Sequence, residues 1–481
     1  MQIQVEIKKM FIGGKWTDAN QTFDVFNPED NQLLAKVPLA SKEDMTEAIG
    51  LAEQAFENRE FPTHERMRVL HQAASYMKKH KELFATTIAS EGSKTINESR
   101  SEVERSIQTI EISAEEARRL NGETINFDQN EGSENRVGYQ YRFPIGVVGA
   151  ITPFNDPLNL VAHKVGPAIA AGNAVVVKPA SDTPLSALLL AEAFSQAELP
   201  AGYLSVITGS GREIGETLIT HPSVKMVSFT GGLHAGERIA EQAGIKKLNM
   251  ELGSNSPVIV LNDANVQDAV QACVSGAFAA AGQNCIGVQR IYVEQDVYDD
   301  FLQSFSERTK ELRLGFKRDE LTDVGPMINE SEAARVESWV NEAVAEGASI
   351  QVGGRRDGAF YQPTVLTNVS QVAKIAQEEI FGPVVIIHPV DSLTEAIRYA
   401  NNTNYGLQAG IFTSDIDKAF YTIKHLHVGG VMINDSSDYR IDAMPFGGVK
   451  GSGLGREGVK TAIETMTDPK VVCFRLQDRL G

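Results

Sequence analysis

The sequence is poor in cysteine. Cys273, Cys285 and Cys473 are the only three in 481 residues, an odd set without CxxC or Cys/His metal spacing. That argues against a disulfide framework and against a bound metal, and it fits a reducing compartment. No apolar run comes near the roughly 20 residues that a membrane span needs. The opening MQIQVEIKKMFIGGKW has no apolar core of signal-peptide type. Basic residues are outnumbered: 45 Lys and Arg against 63 Asp and Glu leave a formal net charge of −18. An acidic surface repels phosphate backbones and anionic headgroups, so neither nucleic acid nor a membrane is expected as partner. A cytoplasmic protein is the expectation. Single cores stop growing near 250–300 residues, roughly, so this chain should form at least two domains.

Residues 8–40 read as short strands and turns, with Gly13-Gly14 at a hairpin. Helical periodicity starts after Ser41, a cap with Asp44 in the first turn, and continues through 66–90 and 99–119. The polar segment 121–141 interrupts it, as an exposed hairpin or a loop. From Phe143 the texture is α/β: FPIGVVGAIT, NAVVVKP, LSVITG and KMVSFTGG read as strands with helices between them, one helix running through Pro167. Such alternation implies βαβ units and a parallel sheet, whose ligands bind at the carboxyl ends of the strands. A second α/β region begins near Ser256. The terminal DPKVVCFRL reads as a strand whose partner lies elsewhere, in 121–141 or in another subunit.

Several stretches carry chemistry. FAAAGQNCIGVQR sets small residues before one thiol, Cys285. It is either a nucleophile or a small buried hydrophobe. Glu251, closing a strand in NMELGSNSP, is a general base or a loop acid. Asn155 in ITPFNDPLN can hold an oxyanion or shape a turn. Lys178 in VVVKPAS can reach a ribose or phosphate, or sit at the surface. GSGREIG (Gly209, Gly211, Gly215) and FTGGLHAG (Gly231, Gly232, Gly236) are strand-to-helix turns, neither of them GxGxxG. Glu379 and Phe381 in EEIFGPVV can meet ribose hydroxyls and an aromatic ring, or be a loop acid and a core Phe.

In order, PFN, KPAS, FTGG, ELGS, GQNC, EEIFGP and PFGGVKGSG resemble the aldehyde dehydrogenase superfamily over nearly the whole chain. The resemblance implies a Rossmann-type cofactor domain (1–120 and 142–252), an α/β catalytic domain (253–450) and a β oligomerisation arm (121–141 and 466–481), in a homodimer or homotetramer. It implies that Cys285 attacks the aldehyde, that Asn155 and the Cys285 N–H hold the oxyanion, and that Glu251 activates water to release the acid. It further implies NADP or NAD as cofactor, held by Ile151, Thr152, Pro153, Phe154, Lys178, Ser181, Gly211, Arg212, Gly215, Phe229, Thr230, Gly231, Gly232, Leu252, Glu379 and Phe381.

The sequence departs from the family pattern in places. Members often have Glu where this chain has Ser181. An acid repels a ribose 2′-phosphate and Ser does not, so NADP should be accepted, with Arg212 adding charge nearby. The alternative is that Ser181 is only permissive and NAD is the main cofactor. ELGS and FTGGLHAG replace the commoner ELGG and FTGSTxxG. PFNDPLNLVAHKVGP and NDSSDYRIDAMPFGG look most like members acting on small hydroxylated or anionic aldehydes of the lactaldehyde, semialdehyde, phospho- or sulfo-aldehyde type. Arg440 with Arg100, Arg105, Asn159, His163 and Tyr439 are the candidate substrate contacts. Competing expectations are an aromatic aldehyde of benzaldehyde type, a CoA-acylating enzyme, which tends to lack the Glu251 base, and a non-catalytic relative.

Overall fold

The computed structural model describes residues 6–58 and 60–477. Residues 1–5, 59 and 478–481 therefore lie outside it, including the end of the arm expected from the sequence. The hydrophobic runs of the first α/β region form an eight-stranded sheet. Its middle is parallel, in the order Lys247–Glu251, Val224–Thr230, Val147–Ile151, Ala174–Lys178, Leu204–Val206. The central strands Val147–Ile151 and Ala174–Lys178 are nearly continuous in Val, Ile and Ala and almost wholly buried, as a sheet covered on both faces demands. The hairpin Met10–Ile12/Lys15–Thr17 closes one edge, turning through Gly13 and Gly14 at positive φ. The other edge is Gly453–Leu454, where the chain returns to this sheet after completing the second one.

The second sheet has seven strands, six of them parallel: Thr364–Thr367, Val384–Val390, Val288–Glu294, Ser256–Val260, Gln408–Phe412 and Gly430–Ile433. Ser349–Val352 lies antiparallel on its edge. A third, smaller sheet pairs Arg136–Pro144 with Thr467–Arg475 along their whole length, and Glu123–Ile125 with the opposite edge. So the orphan C-terminal strand finds its partner in the polar segment of the same chain. Val137, Tyr141, Phe143, Val471 and Phe474 remain exposed on this sheet.

Helix ends follow local chemistry. Ser41 and Asp44 form the expected cap, with the Asp44 N–H donating to Ser41 Oγ and the Ser41 N–H donating to Asp44 Oδ2. The single helix expected over 66–90 is two, Thr63–Lys79 and Lys81–Glu91. They break at His80, whose imidazole Nδ1 bonds the Tyr76 carbonyl that its own backbone N–H also uses. Asn159–Ala171 stays helical through Pro167 and stops at Gly172, which is left-handed at φ 91°. Among the described residues no helix is long and apolar enough to cross a membrane, and no His, Cys, Asp and Glu cluster could hold a metal ion.

Candidate active site

The carboxyl ends of the first parallel sheet and the amino ends of the second face a common cleft. Thr152 to Asn155 follow Val147–Ile151, Gly231 follows Val224–Thr230, and Glu251 ends Lys247–Glu251. The second sheet supplies the cysteine loop and Glu379 to Phe381. Two cavities result. One, of about 340 Å³, is lined by Phe154, Thr230, Gly231, Glu251, Leu252, Glu332, Arg335, Glu379 and Phe381. The other, of about 250 Å³, is lined by Lys94, Glu98, Ser101, Glu102, Arg105, Asp156, Asp438 and Arg440. Asn155, Leu160 and Cys285 line both. The thiol therefore stands where the two cavities meet.

The approach to Cys285 is unusual backbone. Helix Val266–Phe278 ends, and Ala280, Ala281 and Gly282 all take left-handed φ, at 51°, 54° and 69°. That conformation costs a non-glycine residue about 1–2 kcal/mol. Gly282 is also required by space: a Cβ there would stand 2.1 Å from the Gly382 carbonyl oxygen. The turn is held from several sides. The Ala280 N–H donates to Glu98 Oε1 at 2.7 Å, and Gln283 Nε2 donates to the Ala280 carbonyl at 3.0 Å. Gln283 Oε1 in turn accepts the Ile328 N–H.

Electrostatics at the thiol are set by two acids. Glu251 is 2 % exposed and neither carboxylate oxygen has a hydrogen-bond partner. Burial and the neighbouring Glu457 push its pKa well up. Burial, then the charge of Glu251, push the Cys285 thiol up, so the loss of a proton is shared between the two groups. Glu457 is held low, despite its own burial, by the Lys164 ammonium, with Nζ to Oε1 at 2.8 Å, and by Arg440. An unpartnered buried acid beside a thiol can take up the thiol proton or one from water. The Asn155 side chain and the Cys285 N–H bond to no other described residue, and both are free to donate.

The larger cavity, with the strand ends beside it, could hold a dinucleotide. Lys178 is buried, and its amine draws no hydrogen bond from the described residues. Burial lowers its pKa, so an anionic or hydroxyl-rich ligand would relieve it. Glu379 spends Oε1 on the Ser254 N–H at 2.8 Å and leaves Oε2 free. Gly253 makes room for it: a Cβ there would lie 2.4 Å from that Oε2. A Cβ on Gly231 would lie 2.5 Å from the Phe229 ring. Phe381 sits edge-on to Phe154 with centroids 5.8 Å apart. Ile151, Lys178, Ser181 and Gly211 lie on the adjoining strand ends, with Ser181 Oγ donating to the Gly209 carbonyl at 3.1 Å. Thr152 ends there too, its buried Oγ1 unpartnered. Arg212 is exposed, and Gly215 falls inside the helix Ile214–Thr220 with open space around it, so its expected loop role is not required by packing.

The substrate-side expectations need correction. Arg100 points away from the cavity and is paired with Glu82 and Glu320. The reason is helical phase: on Ile96–Ala117 the residues 98, 101, 102 and 105 share one face, and 100 lies opposite. Asn159 and His163 are buried on a helix enclosed on all sides and bind Asp442 instead, through Nδ2 at 3.1 Å and Nε2 at 2.8 Å. Tyr439 is half exposed and lines neither cavity. Arg440 and Arg105 do line the smaller one. Lys94, Ser101, Glu102 and Asp438 were not anticipated. The periodic spacing 94, 98, 101, 105 was the available signal for the first two.

A family profile, Aldehyde dehydrogenase family, matches residues 16–472. The chain is 47% identical over 473 residues to a 3-sulfolactaldehyde dehydrogenase of Priestia aryabhattai, covering 98% of this chain and 99% of that one. It is 40% identical to a lactaldehyde dehydrogenase of Methanococcus aeolicus, covering 96% and 99%. Among solved structures it superposes on aldehyde dehydrogenase 21 of Physcomitrella patens, in complex with the reaction product succinate, with TM-score 0.97, 42% identity and 99% and 100% coverage. It also superposes on a glyceraldehyde-3-phosphate dehydrogenase of Methanocaldococcus jannaschii complexed with NADP, with TM-score 0.92, 41% identity and 95% and 100% coverage. A fold, a cleft and a motif order shared over nearly the full length leave one conclusion: the chain belongs to the aldehyde dehydrogenase family and is an NAD(P)-dependent enzyme that oxidises an aldehyde to the carboxylic acid.

Proposed function

We propose that the substrate is a short aldehyde bearing an anionic or hydroxyl group, and that Cys285, Glu251 and Asn155 carry the chemistry. The observation behind the substrate class is the lining of the smaller cavity. It holds two guanidinium groups with unused donors and no aromatic side chain. Arg105 spends Nε and Nη2 on Asp442 and keeps Nη1, and Arg440 keeps Nη1 and a buried, unpartnered Nε. Among the acids there, burial pushes Glu98, Glu102 and Asp438 up, while Asp156 and Asp442 hold Arg105 charged. Relatives named for sulfolactaldehyde and lactaldehyde, and a neighbour holding succinate, agree with this class. An aromatic ring would find no stacking partner there.

In this reading Glu251 accepts the Cys285 proton and the thiolate attacks the aldehyde carbon. Asn155 Nδ2 and the Cys285 N–H receive the oxyanion as it forms. A nicotinamide cofactor, when bound, would supply the hydride acceptor for oxidation of the Cys285 adduct, and Cys285 would carry the acyl group as a thioester. Lys178, Glu379 and Phe381 hold the dinucleotide. Glu251, having passed the thiol proton to solvent, draws one from the water that attacks the thioester and returns it to the departing thiolate, freeing the acid and the thiol. The presence of this base favours hydrolysis over transfer to CoA. Ser181, already donating to Gly209, places no acid at the ribose 2′ position, so NADP is accepted. Residues 1–120 with 142–252 bind the cofactor and 253–450 form the catalytic domain. The arm of 121–141 and 466–481, whose described part includes the small sheet, joins subunits through the exposed apolar residues of that sheet, in a cytoplasmic homodimer or homotetramer. Initial rates across matched anionic, neutral and aromatic aldehydes, with each cofactor in turn, test the proposal. Short anionic or hydroxylated aldehydes should lead in kcat/KM; an aromatic leader would overturn it.

A further inference from the structure

We infer that Glu98 and Glu102 are positioning residues that together set the spacing between the Cys285 thiol and the Asn155 amide. The inference rests on the roles proposed for Cys285 and Asn155. The two carboxylates stand one turn apart on a single face of helix Ile96–Ala117, and both line the substrate cavity. Each grips backbone of a different catalytic segment. Glu98 Oε1 accepts the N–H of Ala280, the first residue of the left-handed turn before Cys285. Its Oε2 is anchored by the Thr95 N–H and hydroxyl, at 2.8 and 3.1 Å, which fixes the carboxylate in place. Glu102 Oε1 accepts the N–H groups of Leu158 and Asn159, at 2.9 and 3.0 Å, just after Asn155. Its Oε2 takes the Lys94 ammonium at 2.8 Å, and Lys94 also pairs with Asp156.

Neither catalytic segment dictates its own geometry. Ala280 and Ala281 hold a backbone conformation that L side chains resist, so the turn needs an external restraint. The Asn155 loop leads into a helix that starts at Asn159 without a side-chain cap of its own, and Glu102 occupies the place of one. One helix thus measures both segments against a single rigid rod. The conventional role for Glu98 is the capping box it forms with Thr95. That role does not account for its other oxygen reaching a residue 182 positions away.

The test uses two readouts on the full-length enzyme: steady-state kinetics with a turned-over aldehyde, and the second-order rate of Cys285 alkylation by iodoacetamide. Glu98→Ala should lower both kcat and the alkylation rate at least about tenfold, the scale of a sub-ångström misplacement, with a much smaller change in KM. Glu98→Gln keeps an acceptor for Ala280 and should stay within about threefold of the parent enzyme in both. Adding Ala280→Gly to Glu98→Ala should restore part of the loss, because glycine takes the left-handed turn without help. Glu102→Ala should lower kcat while leaving alkylation unchanged, since it acts on Asn155 and not on the thiol. If that variant does not fold, the Glu98 series decides alone. Parent-like alkylation in Glu98→Ala, equal damage in Glu98→Gln, or no recovery in the double variant would each overturn the inference. Turnover persisting in Cys285→Ala would instead overturn the nucleophile assignment on which it rests.

Discussion

The two cavities that meet at Cys285 are built by different rules. The cofactor side is made of strand ends and the turns that follow them, contributed in sequence order by a parallel sheet. Its polar groups stand with unused capacity, Lys178 without a hydrogen bond among the described residues and Glu379 with one free oxygen. The substrate side is made of residues 94–105, the segment from Asn155 to Leu160, the cysteine loop and the Asp438 to Arg440 segment, brought together from four distant stretches. There each cation is already paired: Lys94 with Glu102 and Asp156, Arg105 with Asp442, Arg440 with Glu457. A site open to ligand on one side and pre-neutralised on the other separates binding from selection. The cofactor side gains contacts when filled. The substrate side is held rigid by its own ion pairs and recognises a ligand with the few donors left over.

That contrast is most sharply broken at the junction. Cys285→Ala should reduce turnover by at least about 10⁴-fold for every aldehyde, while dinucleotide affinity measured by fluorescence quenching stays close to that of the parent. Glu251→Gln should cut steady-state turnover by about 10²–10³-fold through slow thioester hydrolysis, leaving a burst of reduced cofactor in rapid mixing. Because burial and Glu457 raise the Glu251 pKa, the parent's steady-state rate should climb with pH through a value above the ordinary carboxyl range, and the variant should lose that inflection.

On the substrate side, Asp442→Asn removes the charge shared by Arg105, Asn159 and His163 and turns the oxygen that faces Arg105 Nε into a donor. Its pKa is held far below the usual carboxylate range, first by the His163 and then by the Arg105 contacts, against burial. A depressed folded pKa adds stability that is present above the unfolded carboxyl value and is lost only as pH falls towards the folded one. The variant should therefore lose about 3 kcal/mol at neutral pH, read from denaturant midpoints, and the gap should close in acid. Arg105→Met should lower kcat/KM for anionic aldehydes by about tenfold or more and hardly alter neutral ones. The smallest effect is expected on the cofactor side: Ser181→Glu should reduce the kcat/KM ratio of NADP to NAD several-fold, read from initial rates with each cofactor. An unchanged ratio would mean that Ser181 does not face the ribose 2′ position.

The same contrast explains what could be read from the sequence. A parallel strand end leaves a local mark, an apolar run followed by a turn, so PFN, KPAS, FTGG and ELGS could be placed before the fold was known. The small sheet was half legible: 121–141 and the C-terminal strand each lacked a neighbour, and they proved to be each other's. Helix facing was the weak point. Arg100 and Arg105 look equivalent as letters, and only the 3.6-residue phase separates a surface ion pair from a cavity wall. Asn159 and His163 were misplaced for another reason. Polar side chains on a helix buried on all sides need buried partners, and Asp442, the one they share, lies about 280 residues further on. The left-handed turn before Cys285 left almost no trace, because alanine is a poor predictor of positive φ.

The most direct measurement is rapid quenching of Glu251→Gln with a turned-over short aldehyde and oxidised cofactor, followed by mass spectrometry of the Cys285 peptide. An acyl adduct on Cys285, dependent on cofactor and present in near-stoichiometric amount, is the predicted result. Turnover without that adduct, or an adduct on Cys273 or Cys473 alone, would contradict the placement of the chemistry where the two cavities meet.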